Sequence, residues 1–163
     1  MIVLTNINKK NFVSIGNCGE YFVAAELERH GFTVAVPMSN TKDFDILAIS
    51  REIPYNQFAI QVKTSNSNKK QWILSRKNEQ LKGNNIFYIF VSLNDGQNPS
   101  YHIVPSEIVA KYINDDYNKW LNKPGKNGIK HNDNTIRKFR DLNDTFLNRW
   151  DLLLKFGGMN ESL

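Results

Sequence analysis

The run Ile86-Phe87-Tyr88-Ile89-Phe90-Val91-Ser92-Leu93 is apolar at nearly every position. A half-buried strand alternates apolar with polar residues, so a strand with this reading is covered on both faces. The run is too short for an ordinary buried helix and is rich in aromatic and β-branched residues, which favours a central strand. A chain of 163 residues built around such a strand is expected to be an α/β protein, with a sheet flanked by helices. That length suits one domain, here 1–163, with a core over about 14–104 and a helical C-terminal extension over about 105–156.

The neighbouring segments supply the partners. A helix is expected from about Ile15 to His30, with Ser14 as N-cap and Gly31 at the left-handed stop position. Three short strands follow: Phe32 to Val36, Asp45 to Ile49 and Phe58 to Thr64, separated by polar or proline-bearing turns. A fourth short strand over Gln71 to Leu74 leads to a helical or turn segment near Arg76 to Lys82. Tyr101 to Val104 reads as the strand beside the central one, and Pro105 opens a helix ending near Leu121. The Gly-, Asn- and Lys-rich stretch from Asn122 to Asn134 reads as a loop. Phe146, Trp150, Leu153 and Leu154 recur at helical spacing and predict a last helix from about Leu142 to Lys155.

Charge narrows the partners. The net charge is +5, and the cations cluster. Lys63, Lys69, Lys70, Arg76, Lys77 and Lys82 face Glu79 alone in one window; Lys119, Lys123, Lys126, Lys130, Arg137, Lys138 and Arg140 face Asp133 alone in another. Such patches suit a phosphate backbone, although solvated surface lysines give the same pattern. Lys69, Lys70, Arg76, Lys77, Lys126, Lys130, Arg137 and Lys138 are the candidate nucleic-acid contacts. One cysteine, Cys18, cannot form an internal disulfide and reads as a packed small residue; with three histidines it gives no zinc spacing. No apolar stretch is long enough for a membrane span and no signal-peptide pattern is read, so the expected compartment is the cytoplasm.

Four residues are out of place for a plain core. On the third strand, Phe58, Ile60 and Val62 share one face, which puts the polar pair Gln61 and Lys63 together on the other. Asp45 stands at the start of the preceding strand. Glu20 falls in helical register with Val23 and Leu27, placing a carboxylate on the apolar stripe, where an unpaired charge is costly. These groups can satisfy one another as a salt bridge, or can jointly hold a cation. Asp43, two residues before Asp45, is a lesser candidate for the same role.

The order Gly16-x-x-Gly19-Glu20, Asp45-Ile46-Leu47-Ala48 and Gln61-Val62-Lys63 resembles the PD-(D/E)XK nuclease superfamily, in pattern nearest its Holliday-junction resolvase and Mrr-type branches. The resemblance covers roughly Ile15 to Leu93. It implies a restriction-endonuclease-like core, a central mixed β-sheet with elements in the order αβββαβ. It also implies a metal-dependent DNA endonuclease using Mg²⁺ or Mn²⁺. On that resemblance Asp45, Glu20 and Gln61 would hold the metal, while Lys63 would assist attack on the phosphodiester. Gln61 stands where most members carry Glu or Asp, so it brings an amide carbonyl in place of a charge. A homodimer would suit cleavage of two strands. The alternatives are a catalytically inactive nucleic-acid-binding module on the same fold, or an interaction protein of a defence or toxin system.

Elsewhere, Ser65 and Ser67 read as loop residues that could touch phosphate. His131, Asp133 and Asn134 read as loop chemistry. Trp120 and Trp150 are expected in the core, and core packing is also the first expectation for Trp72 and Tyr101.

Overall fold

The computed structural model describes residues 12–37 and 44–157. The first helix, α1, spans Phe12–Arg29 and ends where sequence places its stop: His30 N–H still bonds the Glu26 carbonyl at 2.9 Å, and Gly31 takes φ +87°. Only glycine adopts that φ without a Cβ penalty. Strands β1 (Phe32–Ala35), β2 (Ile46–Ser50) and β3 (Gln57–Ser65) form an antiparallel meander. Strand β4 (Gln71–Ser75) leaves that sheet, and a 3₁₀ turn over Arg76–Glu79 occupies the expected helical or turn segment. Strand β5 (Ile86–Ser92) then lies parallel to β3, and β6 (Ser100–Pro105) lies antiparallel to β5. The central sheet is therefore mixed, in the order β1-β2-β3-β5-β6. Helix α2 follows over Ser106–Asn122.

Two expectations for the C-terminal part are corrected. Ile136–Arg140 is a strand, β7, antiparallel to β4 in a separate two-stranded ribbon. The helix expected over 142–155 shrinks to α3, Asp151–Gly157. Asp144 (φ +56°) and Asn148 (φ +53°) turn the chain left-handed before it. The buried Asp141 carboxylate accepts the backbone N–H of Thr145 and of Phe146, both at 2.9 Å, which holds a turn where a helix would start.

The central strand is covered on both faces, as its composition requires. Phe87, Ile89 and Val91 pack with Val23 and Leu27 of α1, the inner residues of β1 to β3, and Trp150 and Leu153. Tyr88 and Phe90 face the opposite way, against Trp72 and Leu74 of β4, Phe139 of β7, and Val109 and Ile113 of α2. Val23 and Leu27 are fully buried, and burial of such side chains contributes about 1.5–3 kcal/mol each. Trp72, Trp150 and Tyr101 are core residues, whereas Trp120 is 37% exposed and is not. No helix of the described residues is long and apolar enough to cross a membrane.

Candidate functional site

The site forms where two strands of unequal length meet. Strand β2 begins at Ile46, opposite Ile60, whereas β3 continues to Ser65 with β5 as its sheet neighbour. Asp45 sits at this step. Its N–H bonds the Ile60 carbonyl at 2.8 Å, and its Oδ2 accepts the Val62 N–H at 2.7 Å. Gln61 donates its side-chain Nε2 to the same Oδ2. The carboxylate thus caps a backbone donor of β3 that β2 is too short to reach, and Gln61 fixes its orientation. Asp45 Oδ1 makes no further hydrogen bond among the described residues.

Helix α1 is brought onto this end of β3 by Gly19. A Cβ at position 19 would overlap the Thr64 side chain, with Thr64 Cβ only 2.9 Å away. The glycine therefore permits a close helix–strand approach and places the next residue, Glu20, at the rim of the apolar stripe. Three groups respond to one another there. Burial, then the Asp45 charge, pushes the Glu20 carboxyl up from its ordinary range, with Lys63 opposing. Burial pulls the Lys63 ammonium down; Asp45 and Glu20 oppose that pull and the nearby Lys77 adds to it. The Asp45 charge raising Glu20, and two carboxylates supporting Lys63, are the mutual effects of groups in one electrostatic neighbourhood.

The residue types suit a hard divalent cation. Two carboxylates and an amide carbonyl are oxygen donors of the kind that hold Mg²⁺ while it keeps several waters. Glu20 and Asp45 repel each other, and a cation between them would relieve that repulsion. Among the described residues no cluster of three or more His, Cys, Asp or Glu could hold a metal, and those residues bring two acids, Glu20 and Asp45, to the site. Asp43 lies outside the described residues.

The basic candidates separate into two groups. Lys69, Lys77, Lys130 and Lys138 are exposed, and no ion pair engages them among the described residues. Lys70 is paired with Asp144 at 2.6 Å and Arg76 with Asp133 at 2.6 Å. Arg137, expected on a phosphate-facing surface, is only 4% exposed. Its Nε bonds Glu79, and its guanidinium lies 3.4 Å from the centre of the Tyr117 ring. The Lys126 side chain is outside the described set. Ser65 and Ser67 bond each other in the turn after β3. Asp133 is a loop anchor: the Tyr117 hydroxyl, then Arg76, holds its carboxyl below the ordinary range.

Charge counting missed a groove between α2 and β7, lined by Tyr117, Trp120, Lys123 and Lys138 among others. Its cations belong to the second basic window; what hid the groove was the expectation of a helical extension over about 105–156, within which β7 lies.

No protein-family model matches the chain, and no curated protein matches it. The comparison with solved structures does find likenesses. A bacterial homing endonuclease, I-Ssp6803I, superposes with a TM-score of 0.54 at 10% identity, over 90% of this chain and 94% of that one. The Holliday junction resolvase Hjc of Archaeoglobus fulgidus gives a TM-score of 0.44 at 14% identity, over 77% and 84% of the two chains. The first match extends well beyond the stretch from Ile15 to Leu93, so elements after β5 belong to the shared architecture. The mixed sheet, its two covered faces and this likeness together identify the chain as a restriction-endonuclease-like fold.

Proposed function

We propose that the protein is a metal-dependent DNA endonuclease of the PD-(D/E)XK type. One observation carries the reading: Glu20 of α1, Asp45 just before β2 and Lys63 of β3 influence one another electrostatically where β3 outruns β2. Nothing in packing alone requires two acids and a lysine at that step. Asp45 and Glu20 would hold Mg²⁺ or Mn²⁺, with the Gln61 carbonyl as a third donor. A bound divalent ion supplies Lewis-acid charge at the phosphoryl oxygens and lowers the pKa of its water. Lys63, whose ammonium burial disfavours and the neighbouring acids support, would stabilise negative charge as it develops on the phosphate. Gln61 and the Val62 N–H keep the Asp45 carboxylate oriented. Lys77 stands close enough to Lys63 to affect its charge, and would place a phosphate of the same strand near the site.

The test is cleavage of supercoiled plasmid and of a labelled branched DNA in Mg²⁺ or Mn²⁺. Lys63→Ala should lose at least about 100-fold in rate, the scale for removing one preorganised electrostatic group, and keep its circular dichroism spectrum. Asp45→Ala should abolish the metal-dependent cutting. A fully active Lys63→Ala protein would sink the mechanism.

Gln61 motivates a second reading. Its amide nitrogen is engaged with Asp45, where an acid would have added charge to a metal site. A non-catalytic DNA-binding module on this fold accounts for that substitution. Tight DNA binding with a steep salt slope, and no cutting by wild type in either metal, would select it.

A further inference from the structure

We propose that the groove between the second half of α2 and the outer face of β7 binds an unpaired nucleotide of a DNA strand, with its base against Trp120 and phosphates on Lys119, Lys123 and Lys138. This names a part of the substrate surface and rests on the nuclease reading above.

The groove has a volume of about 430 Å³, within the range of small-ligand sites and far too small for a duplex. Its charge survives an accounting of every ion pair around it. Asp116 is neutralised by Arg140, which holds both carboxylate oxygens at 3.0 Å. Asp133 is neutralised by Arg76, and Arg137 by Glu79. What remains are Lys119, Lys123 and Lys138, all exposed and without an acidic partner among the described residues. Three unopposed lysines favour an anion carrying more than one charge, as a run of phosphates does.

The aromatic lining narrows the ligand further. Trp72 and Trp150 are 2% and 7% exposed, whereas Trp120 is 37% exposed and opens on the groove. A single exposed indole is ordinary on a surface. This one is held in place: His131 stacks on it at 4.2 Å, and the Tyr117 ring lies at 5.4 Å. Tyr117 is itself fixed by the Arg137 guanidinium and by its hydroxyl bond to Asp133 at 2.5 Å. A rigid aromatic platform beside unpaired cations is the arrangement that stacks bases and tracks a single-strand backbone, because every base has a π-face. A duplex hides its base faces and would leave Trp120 unused. An acidic peptide would use the lysines but gain little from the indole.

The test measures binding in a chelator, so cleavage does not interfere, with a fluorescein-labelled oligo(dT) of about ten nucleotides and a blunt duplex of equal length. Oligo(dT) should quench the exposed tryptophan. Trp120→Ala should weaken oligo(dT) binding about 5- to 150-fold, with less than about 2-fold change for the duplex, and Trp120→Phe should restore most of the loss. Lys123→Ala with Lys138→Ala should flatten the log–log salt slope by about 1.4, and it decides the matter if Trp120→Ala fails to fold. Unchanged oligo(dT) binding in these variants, equal losses for the duplex, or thymidine monophosphate competing as well as the strand would overturn the proposal. The two readings fail separately. A protein that cuts plasmid while ignoring Trp120 loses the groove alone; one that binds oligo(dT) through Trp120 and never cuts loses the nuclease alone.

Discussion

Glu20 carries a cost that a cation would lift. Its pKa is raised, so the native state binds the proton more tightly than the unfolded chain does. The associated stability is complete below the ordinary glutamate value of 4.5 and is lost as pH rises through the elevated native value. In metal-free buffer at neutral pH, Glu20→Gln should therefore raise Tm relative to wild type, and the difference should vanish below pH 4.5. Mg²⁺ at about ten times its Kd should stabilise wild type by roughly 1.4 kcal/mol and Glu20→Gln by clearly less. Thermal melts at two pH values with and without Mg²⁺ check both signs. An equal Mg²⁺ response in the two proteins would remove Glu20 from the metal shell. Lys63 completes the pattern from the opposite direction, since the burial that depresses it is countered by the same two acids.

At the scale of elements, the contact between α1 and β3 sets the geometry of the site. Gly19→Ala would drive a methyl into Thr64 and should cost about 1–3 kcal/mol, the usual range for overpacking. In a Thr64→Gly background the added cost should fall below about 0.5 kcal/mol, which a double-mutant cycle by urea denaturation would read. The elements around this contact were legible from sequence because each depends on local chemistry: good helix formers before Gly31, and alternating or continuous apolar runs bounded by turns. Glu20 and Lys63 were legible because a charge on an otherwise apolar face is visible in the pattern. The step between β2 and β3 was not, since the length of a strand's pairing is set by its neighbour. Strand β7 escaped for another reason. Its inward residues are Phe139 and Arg137, and the burial of Arg137 depends on Glu79 and Tyr117, both remote in sequence. A strand whose core position is an arginine does not alternate by hydropathy. The overextended last helix fails similarly: Phe146 and Trp150 do reach apolar clusters, but through turns anchored by Asp141, whose carboxylate also bonds the buried His102 at 2.7 Å. Trp120 was expected inside because helical spacing names a stripe without saying what covers it.

For the whole molecule, the sheet divides labour between its faces. One face of the sheet is closed by α1 and the other by α2 with the β4–β7 ribbon, while the acids and lysine gather at one end of β3. The candidate catalytic residues all lie before residue 64, yet the cover of the second face is not complete until Phe139. A chain truncated after residue 134 should therefore keep every candidate catalytic residue and still aggregate, because Trp72, Tyr88 and Phe90 would lose Phe139 from their cluster. Sedimentation of that fragment against the full chain checks this; a soluble, monomeric fragment would contradict it. The same pairing of β4 with a strand more than sixty residues later has a consequence during synthesis. On the ribosome, α1 and the first strands emerge and can associate long before β7 exists. The aromatic underside of β5 must wait for Phe139, its last cover, until the last quarter of the message has been read, and a cell that stalls translation there holds a half-clad intermediate suited to chaperone capture.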